Sequence, residues 1–233
     1  MLFYENNDFI IARKPAGFLS EEDPAGSVNL RSLLEKYLSE TYPWKKRGIC
    51  QLVNRLDKPV EGLLICAKKQ SILKGLQQQF YERTVRKNYF AIVEGKPEPI
   101  KATIKSHLKK VQHAFRAVAA TANDPEAKEA ILHYQLLDHQ EGFSLLQIEL
   151  RTGKFHQIRF QLSQKSYPIW NDEWYGAKKY SAEMKIGLFS YSIQFKDVQT
   201  GEQRNFVCCP PLDKEPWNLF FGVLSQKCQT LVE

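Results

Sequence analysis

Short apolar runs separated by polar breaks set the rhythm of this chain. Residues 9–12 form an apolar stretch that reads as a strand. Residues 63–67, Leu-Leu-Ile-Cys-Ala, are bounded by Gly62 and Lys68 and read as a buried strand. Residues 85–93 carry apolar groups at both alternations and end at Gly95, which predicts a central strand. Residues 102–108 and 114–119 predict a strand pair separated by Lys109, Lys110 and His113. Residues 129–138 and 143–150 predict a hairpin around Gln140-Glu141-Gly142, with strict alternation from Leu146 to Leu150 in its second arm. Late strands follow at 187–195 and 205–208.

Helical spacing is rarer. Leu30, Leu33, Leu34 and Leu38 share a stripe, with Asn29 or Ser27 as cap. Leu73, Leu76 and Phe80 define a second helix over 71–83, and Phe155, Ile158 and Leu162 a third over 155–164. A closing helix is expected over 217–224. Strand pairs with scattered helices, without a regular alternation of the two, argue for an α+β fold with a mixed or largely antiparallel sheet.

Composition narrows the function. The chain has 233 residues, 43% of them hydrophobic, which is enough for a sizeable core. Its 33 basic and 26 acidic residues leave a formal charge of +7, and a basic balance favours polyanionic partners, nucleic acid first. No stretch reaches the roughly 18 apolar residues of a membrane span, and the first ten residues lack the layout of a signal peptide. Five cysteines without a Cys-x-x-Cys pair fit a reducing cytosol better than a disulfide framework, so a cytoplasmic protein is expected. The histidines and cysteines show no ligand-spaced pair, and no metal site is expected.

The densest chemistry lies in residues 51–69, QLVNRLDKPVEGLLICAKK. Asp57 stands between Arg55 and Lys58 in a loop at the mouth of the 63–67 strand, where a rigid scaffold can hold a reactive group. A second stretch, residues 150–176, reads LRTGKFHQIRFQLSQKSYPIWNDEWYG. Together the two resemble the RluA-type RNA pseudouridine synthases, whose signatures run approximately H-R-L-D-x-x-T-S-G-L-L and T-G-R-x-H-Q-I-R-x-H-L, then H-P-I-x-G-D-x-x-Y-G. Arg55, Leu56, Asp57, Gly62, Leu63 and Leu64 match the first. Thr152, Gly153, His156, Gln157, Ile158, Arg159 and Leu162, then Pro168, Ile169, Asp172, Tyr175 and Gly176, match the second. Lys14-Pro15-Ala16-Gly17 and Lys87-Asn88-Tyr89 resemble the family's K-P-x-G turn and K-x-Y strand motif.

The resemblance implies a single catalytic domain over 1–233, without a separate N-terminal RNA-binding module and with an active-site cleft across a central sheet. It implies isomerisation of uridine to pseudouridine in rRNA or tRNA, without cofactor. Asp57 is then the catalytic carboxylate, Tyr89 the ring that stacks on the target base, and Arg159 the cation paired with the aspartate. Arg55, Lys154, His156 and Asn54 are expected at the substrate, with His156 holding its loop or touching RNA. Lys45, Lys46, Arg47, Lys109, Lys110, Lys178 and Lys179 are candidates for RNA phosphates, and the aromatic loop 166–180 for exposed bases. A monomer is expected.

Departures fall around this trio. Asn54 stands where the family commonly has His, Val60-Glu61 replaces Thr-Ser, and Lys154 replaces Arg. A second carboxylate near Asp57 would oppose its ionisation, so Glu61 is expected to point away. The alternative from another class is a catalytically inactive RNA-binding protein of the same fold. The intact Asp57 argues against it, because a pure binder gains nothing from a carboxylate facing phosphates. A glycoside hydrolase would need two carboxylates flanking a bond, and Asp57 with Glu61 is no specific signal of one.

Overall fold

The computed structural model describes residues 1–44, 48–111 and 115–232. In chain order its elements are β1 (Leu2–Glu5), β2 (Phe9–Lys14), α1 (Leu30–Thr41), β3 (Gln51–Leu52), β4 (Glu61–Ala67), α2 (Gln70–Tyr81), β5 (Arg86–Glu94), β6 (Lys101–Val111), β7 (Arg116–Ala119), β8 (Lys128–Gln140), β9 (Phe143–Leu150), α3 (Gln157–Ser163), β10 (Leu188–Lys196), β11 (Gln203–Val207) and α4 (Phe221–Val232). Short 3-10 turns span Glu173–Tyr175 and Trp217–Phe220. The class is α+β, as the pattern predicts. The chain forms two compact units.

The first unit comprises Met1–Val85, Glu183–Lys185 and Ser192–Cys208. β2 runs antiparallel to β4, with Phe9 opposite Ala67 and Lys14 opposite Gly62. β1 flanks β2, β3 pairs with the end of β4, and the Ser192–Lys196 end of β10 forms a hairpin with β11. Ile10, Ile11, Leu63, Leu64 and Ile65 are fully buried, which explains why the 63–67 run is apolar at every position. α1 begins with a capping box: Asn29 accepts from the Ser32 amide while Ser32 Oγ accepts from the Asn29 amide. That selects Asn29 over Ser27 and carries the helix to Thr41. α2 is tied to β10 by Gln79, which bonds both the amide and the carbonyl of Lys196. β1 and β3 are not predicted from the pattern; each is too short for alternation to register.

The second unit comprises Arg86–Ala182, Ile186–Tyr191 and Cys209–Glu233. Its sheet runs β5-β9-β8-β6-β7. Five successive residues of β5, Tyr89 to Val93, are buried, as a central strand requires. β8 and β9 meet at a two-residue turn in which Glu141 (φ 53°) and Gly142 (φ 79°) are both left-handed, the conformation that matches hairpin twist. The predicted 155–164 helix is shorter at its start. His156 takes a left-handed conformation, φ 50°, and α3 begins at Gln157. Phe155 therefore stands outside the helix and stacks on His156 at 3.8 Å between ring centroids. Every residue from Gln157 to Leu162 is buried, polar ones included. Gln157 bonds the Ile131 carbonyl and Thr152, and Gln161 bonds the Ala130 carbonyl at 3.0 Å, so their amides are satisfied without water.

One cysteine expectation is corrected. Cys209 and Cys228 are joined by a disulfide, 19 residues apart, because Cys209 and α4 meet in the second unit. Cys50, Cys66 and Cys208 are buried thiols outside that disulfide. No helix among the described residues is long and apolar enough to cross a membrane.

α2 supplies a test of packing. A Cβ at Gly75 would lie 2.6 Å from Val198 Cγ1. Gly75→Ala gains up to about 1 kcal/mol in helix propensity but overpacks this contact at about 1–3 kcal/mol. Net destabilisation is the expected result in urea unfolding; a variant more stable than wild type would show that Val198 moves aside.

Candidate active site

Asp57 is half-buried in the connection between β3 and β4. Its carbonyl accepts from the Val60 amide at 3.0 Å, closing a turn around Lys58-Pro59. Two residues from the N-terminal segment fix this turn. Ser20 Oγ donates to the Leu56 carbonyl at 2.7 Å and accepts from its amide at 3.1 Å. Lys14 is fully buried, and its ammonium donates to the carbonyls of Pro15, Phe18 and Lys58 at 3.0, 2.8 and 3.1 Å. Gly17, at φ 82°, turns its amide onto the same Lys58 carbonyl at 2.8 Å. The Lys-Pro-Ala-Gly turn is thus stitched to the turn of Asp57. Burial pushes the Lys14 ammonium down to about 8, while the carboxylates of Asp57 and Glu61 favour its charged form. The sequence motif alone gives Lys14 no role; the signal for one is a lysine that ends the strand, following the apolar run 9–12.

The flanking residues have defined partners. The Glu61 carboxylate is held by Arg13, whose Nε and Nη2 lie 2.8 and 2.6 Å away, so its charge is matched there. Asn54 Oδ1 accepts from the Ile65 amide at 2.9 Å, bracing the loop against β4. Arg55 is exposed and reaches Glu21 at 3.3 Å.

Tyr89, Lys154, His156 and Arg159 belong to the second unit, whereas Asn54, Arg55 and Asp57 belong to the first. Tyr89 is 6% exposed on β5, opposite Ile148 of β9. Lys87 shares its face of the strand, two residues away. It too is buried, and desolvation, with Lys154 adding like charge, pushes its ammonium down to about 8. A Cβ at Gly153 would stand 3.4 Å from Lys87 Nζ. Lys154 is half-buried, and its own amide donates to Gln157 Oε1.

α3 presents Arg159 to Asp172. Nε donates to Oδ2 at 2.7 Å and Nη2 to Oδ1 at 2.8 Å, a bidentate pair in which both side chains are almost wholly buried. The guanidinium also lies over the Tyr175 ring at 5.0 Å. Asp172 is one of the motif matches, and sequence reading gave it no role. The pair pins the 166–180 loop to the helix, since the Asp172 carbonyl in turn accepts from the amides of Tyr175 and Ala177. His156 joins the same group. Its Nδ1 meets Tyr175 Oη at 2.9 Å and its Nε2 accepts from Arg159 at 3.1 Å. Of the two roles expected for it, holding the loop is the one these bonds perform. Tyr175 Oη completes the chain by accepting from the Ala117 amide at 2.8 Å.

Several expected RNA contacts are accessible. Lys110 lies over the rings of Phe155 and Phe115 at 4.7 and 5.8 Å, and Trp174 is 51% exposed. Trp170 and Tyr175 are instead buried, Tyr175 among Leu108, Ala117, Ala130 and Phe160. Lys109 is engaged by Asp124 at 2.7 Å and Lys179 by Glu173 at 3.8 Å. Lys45, Lys46, Arg47 and His113 lie outside the described residues.

Residues 8–164 match the family model for RNA pseudouridylate synthase, a span that holds the Asp57 turn, Tyr89 and all of α3. The chain belongs to this family. It is 33% identical over 221 residues to the ribosomal large subunit pseudouridine synthase C of Buchnera aphidicola subsp. Baizongia pistaciae, covering 91% of this chain and 67% of that protein. It is 30% identical over 213 residues to a ribosomal large subunit pseudouridine synthase D of Borreliella burgdorferi, covering 88% of this chain and 64% of that one. The chain thus spans about two thirds of the length of these relatives. Among solved structures, human RNA pseudouridylate synthase domain containing 4 superposes with a TM-score of 0.75 at 20% identity, over 98% of this chain and 92% of that one. Human RNA pseudouridylate synthase domain containing 1 gives 0.73 at 19%, over 99% and 94%. These two establish the pseudouridine synthase fold.

In this chain, burial and then the Arg159 charge push the His156 imidazole down to about 3, with Asp172 opposing. The unfolded chain therefore binds a proton at this position that the folded chain refuses, throughout the window from about 6.5 to about 3. Stability falls with falling pH across that window, by about 1.4 kcal/mol per pH unit for one proton. His156→Gln is expected to flatten the dependence of unfolding free energy on pH by that slope between pH 6 and 4. An unchanged slope would remove His156 as its source.

Proposed function

We propose that this chain converts uridine to pseudouridine in RNA, large-subunit ribosomal RNA first, with Asp57 as the catalytic carboxylate. The observation that carries the reading is a carboxylate on a rigid turn, bonded from below by a buried lysine, inside a chain whose family performs this chemistry. The ribosomal substrate is suggested by the names of the two bacterial relatives; transfer RNA is the other candidate.

The reaction breaks the bond from N1 of the base to C1′ of the ribose. The base then turns and C5 bonds to C1′; the C5 proton leaves and N1 ends protonated. Ionised Asp57 either attacks C1′, giving a covalent ester that C5 later displaces, or takes the C2′ proton, giving a glycal that is reprotonated. In either case the target nucleotide must leave its stack. Tyr89 then offers a ring for stacking and a hydroxyl for proton transfer. Arg159, fixed by Asp172, supplies a permanent positive charge that favours the ionised aspartate. Asn54, Arg55, Lys154 and His156 are the proposed substrate-side residues. Lys154 and Arg55 would serve phosphates, while Asn54 and His156 would act through the loops that they hold.

Asp57→Ala is the deciding variant. With RNA labelled with tritium at uridine C5, wild type is expected to release tritium from ribosomal or transfer RNA. The variant is expected to lose about 10³-fold or more of that rate while still binding the RNA. Undiminished release would remove Asp57 as the catalytic group. Binding by wild type with no release from either RNA would favour the inactive RNA-binding alternative.

A further inference from the structure

Two cysteines of the first unit face one another beside the Asp57 loop. Cys50 Sγ and Cys66 Sγ are 3.1 Å apart, and the residues are 6% and 0% exposed. Cys66 sits on β4 opposite Leu52, and Cys50 directly precedes β3, two residues before Leu52. Strand alternation therefore sends both thiols to one face of the β3–β4 ladder. A disulfide needs about 2.05 Å between sulfurs, so about 1 Å of closure would join them. The 15 residues between the two cysteines include Asn54, Arg55 and Asp57.

We propose that Cys50 and Cys66 are a reversible oxidation site whose disulfide clamps the base of the Asp57 loop. The oxidant is a small peroxide, since the pair is too enclosed for a bulky disulfide reagent. The Cys50 thiolate attacks one peroxide oxygen and expels hydroxide, leaving a sulfenic acid. Cys66 then attacks the Cys50 sulfur, and its proton leaves with the departing hydroxide as water. In sum, two thiols and one hydrogen peroxide give one disulfide and two waters, with two electrons passing from sulfur to oxygen. A dithiol reverses the step by exchange.

The order of events follows from the surroundings. The hydrogen bond from Cys66, assisted by the charges of Arg31 and Lys68, holds the Cys50 thiol below the usual range. Cys66 is pushed up by the same bond and by burial. Cys50 is thus the first nucleophile and Cys66 the resolving thiol. Cys208, a buried thiol elsewhere in the first unit, is an internal control.

The test uses the whole protein, treated with stoichiometric hydrogen peroxide, denatured, alkylated and cut with trypsin. Residues 48–55 and 56–68 are separate tryptic peptides with one cysteine each. The expected product is these two peptides linked, two hydrogens lighter than their sum, with Cys208 still alkylated and the link lost after dithiothreitol. In the linked protein, hydrogen exchange of amides 53–58 and 60 should slow several-fold. Recovery of both peptides alkylated, or Cys50 driven to sulfinic acid with Cys66 alkylated, would overturn the site. Linked peptides with unchanged exchange would overturn the clamp. Cys50→Ser should leave Cys66 alkylated under the same treatment; a new link from Cys66 to Cys208 would sink the pairing.

Discussion

A charge taken out of water must be met by fixed groups of the protein, and the residues around the proposed chemistry are arranged by that demand. Lys14 has lost all contact with solvent and is surrounded by three carbonyls, one of them from the turn of Asp57. Arg159 has lost almost all of it and takes both oxygens of Asp172. In each case the desolvation cost is recovered only while the partners stay in place. The ions therefore act as geometric constraints: a displaced turn or loop would leave a charge stranded.

These constraints explain which residues are polar inside an apolar fold. Ser20, Asn54, Thr152, Gln157 and Gln161 each bond backbone groups of a segment distant in sequence. Tyr175 bridges the Ala117 amide and His156, so a single hydroxyl ties β7, α3 and the 166–180 loop together. Removing any of these partners leaves a buried polar group exposed to nothing, which is more expensive than the bond it made was favourable. Residues that match a family motif are thus not all reagents. Asp172, Tyr175 and Gln157 match it because they build the frame.

Much of this was legible before any coordinates. The apolar runs at 63–67 and 85–93 became buried strands, since period-two burial on both faces leaves no room for polar alternation. The Glu141-Gly142 hairpin was written in its turn residues. The sequence pattern starts α3 two residues early, because Phe155, Ile158 and Leu162 read as one amphipathic stripe. A helix buried on every side shows no such stripe, and its glutamines look exposed until their backbone partners are known. Glu61 posed a threat on paper and is matched by Arg13, one strand away in space and 48 residues away in sequence.

The sequence by itself determined the α+β class, most of the strands, the family, and the candidates Asp57, Tyr89 and Arg159, because each is carried by local spacing or by contiguous motifs. Only the tertiary structure decided the partners. That Lys14 holds the Asp57 turn, that Arg159 takes Asp172, that Cys209 bonds Cys228 and that Cys50 meets Cys66 are facts about which distant segments touch. Local patterns set whether a side chain is buried. The identity of the group it meets there is set by how strands pair and loops return, and that information is spread over the whole chain.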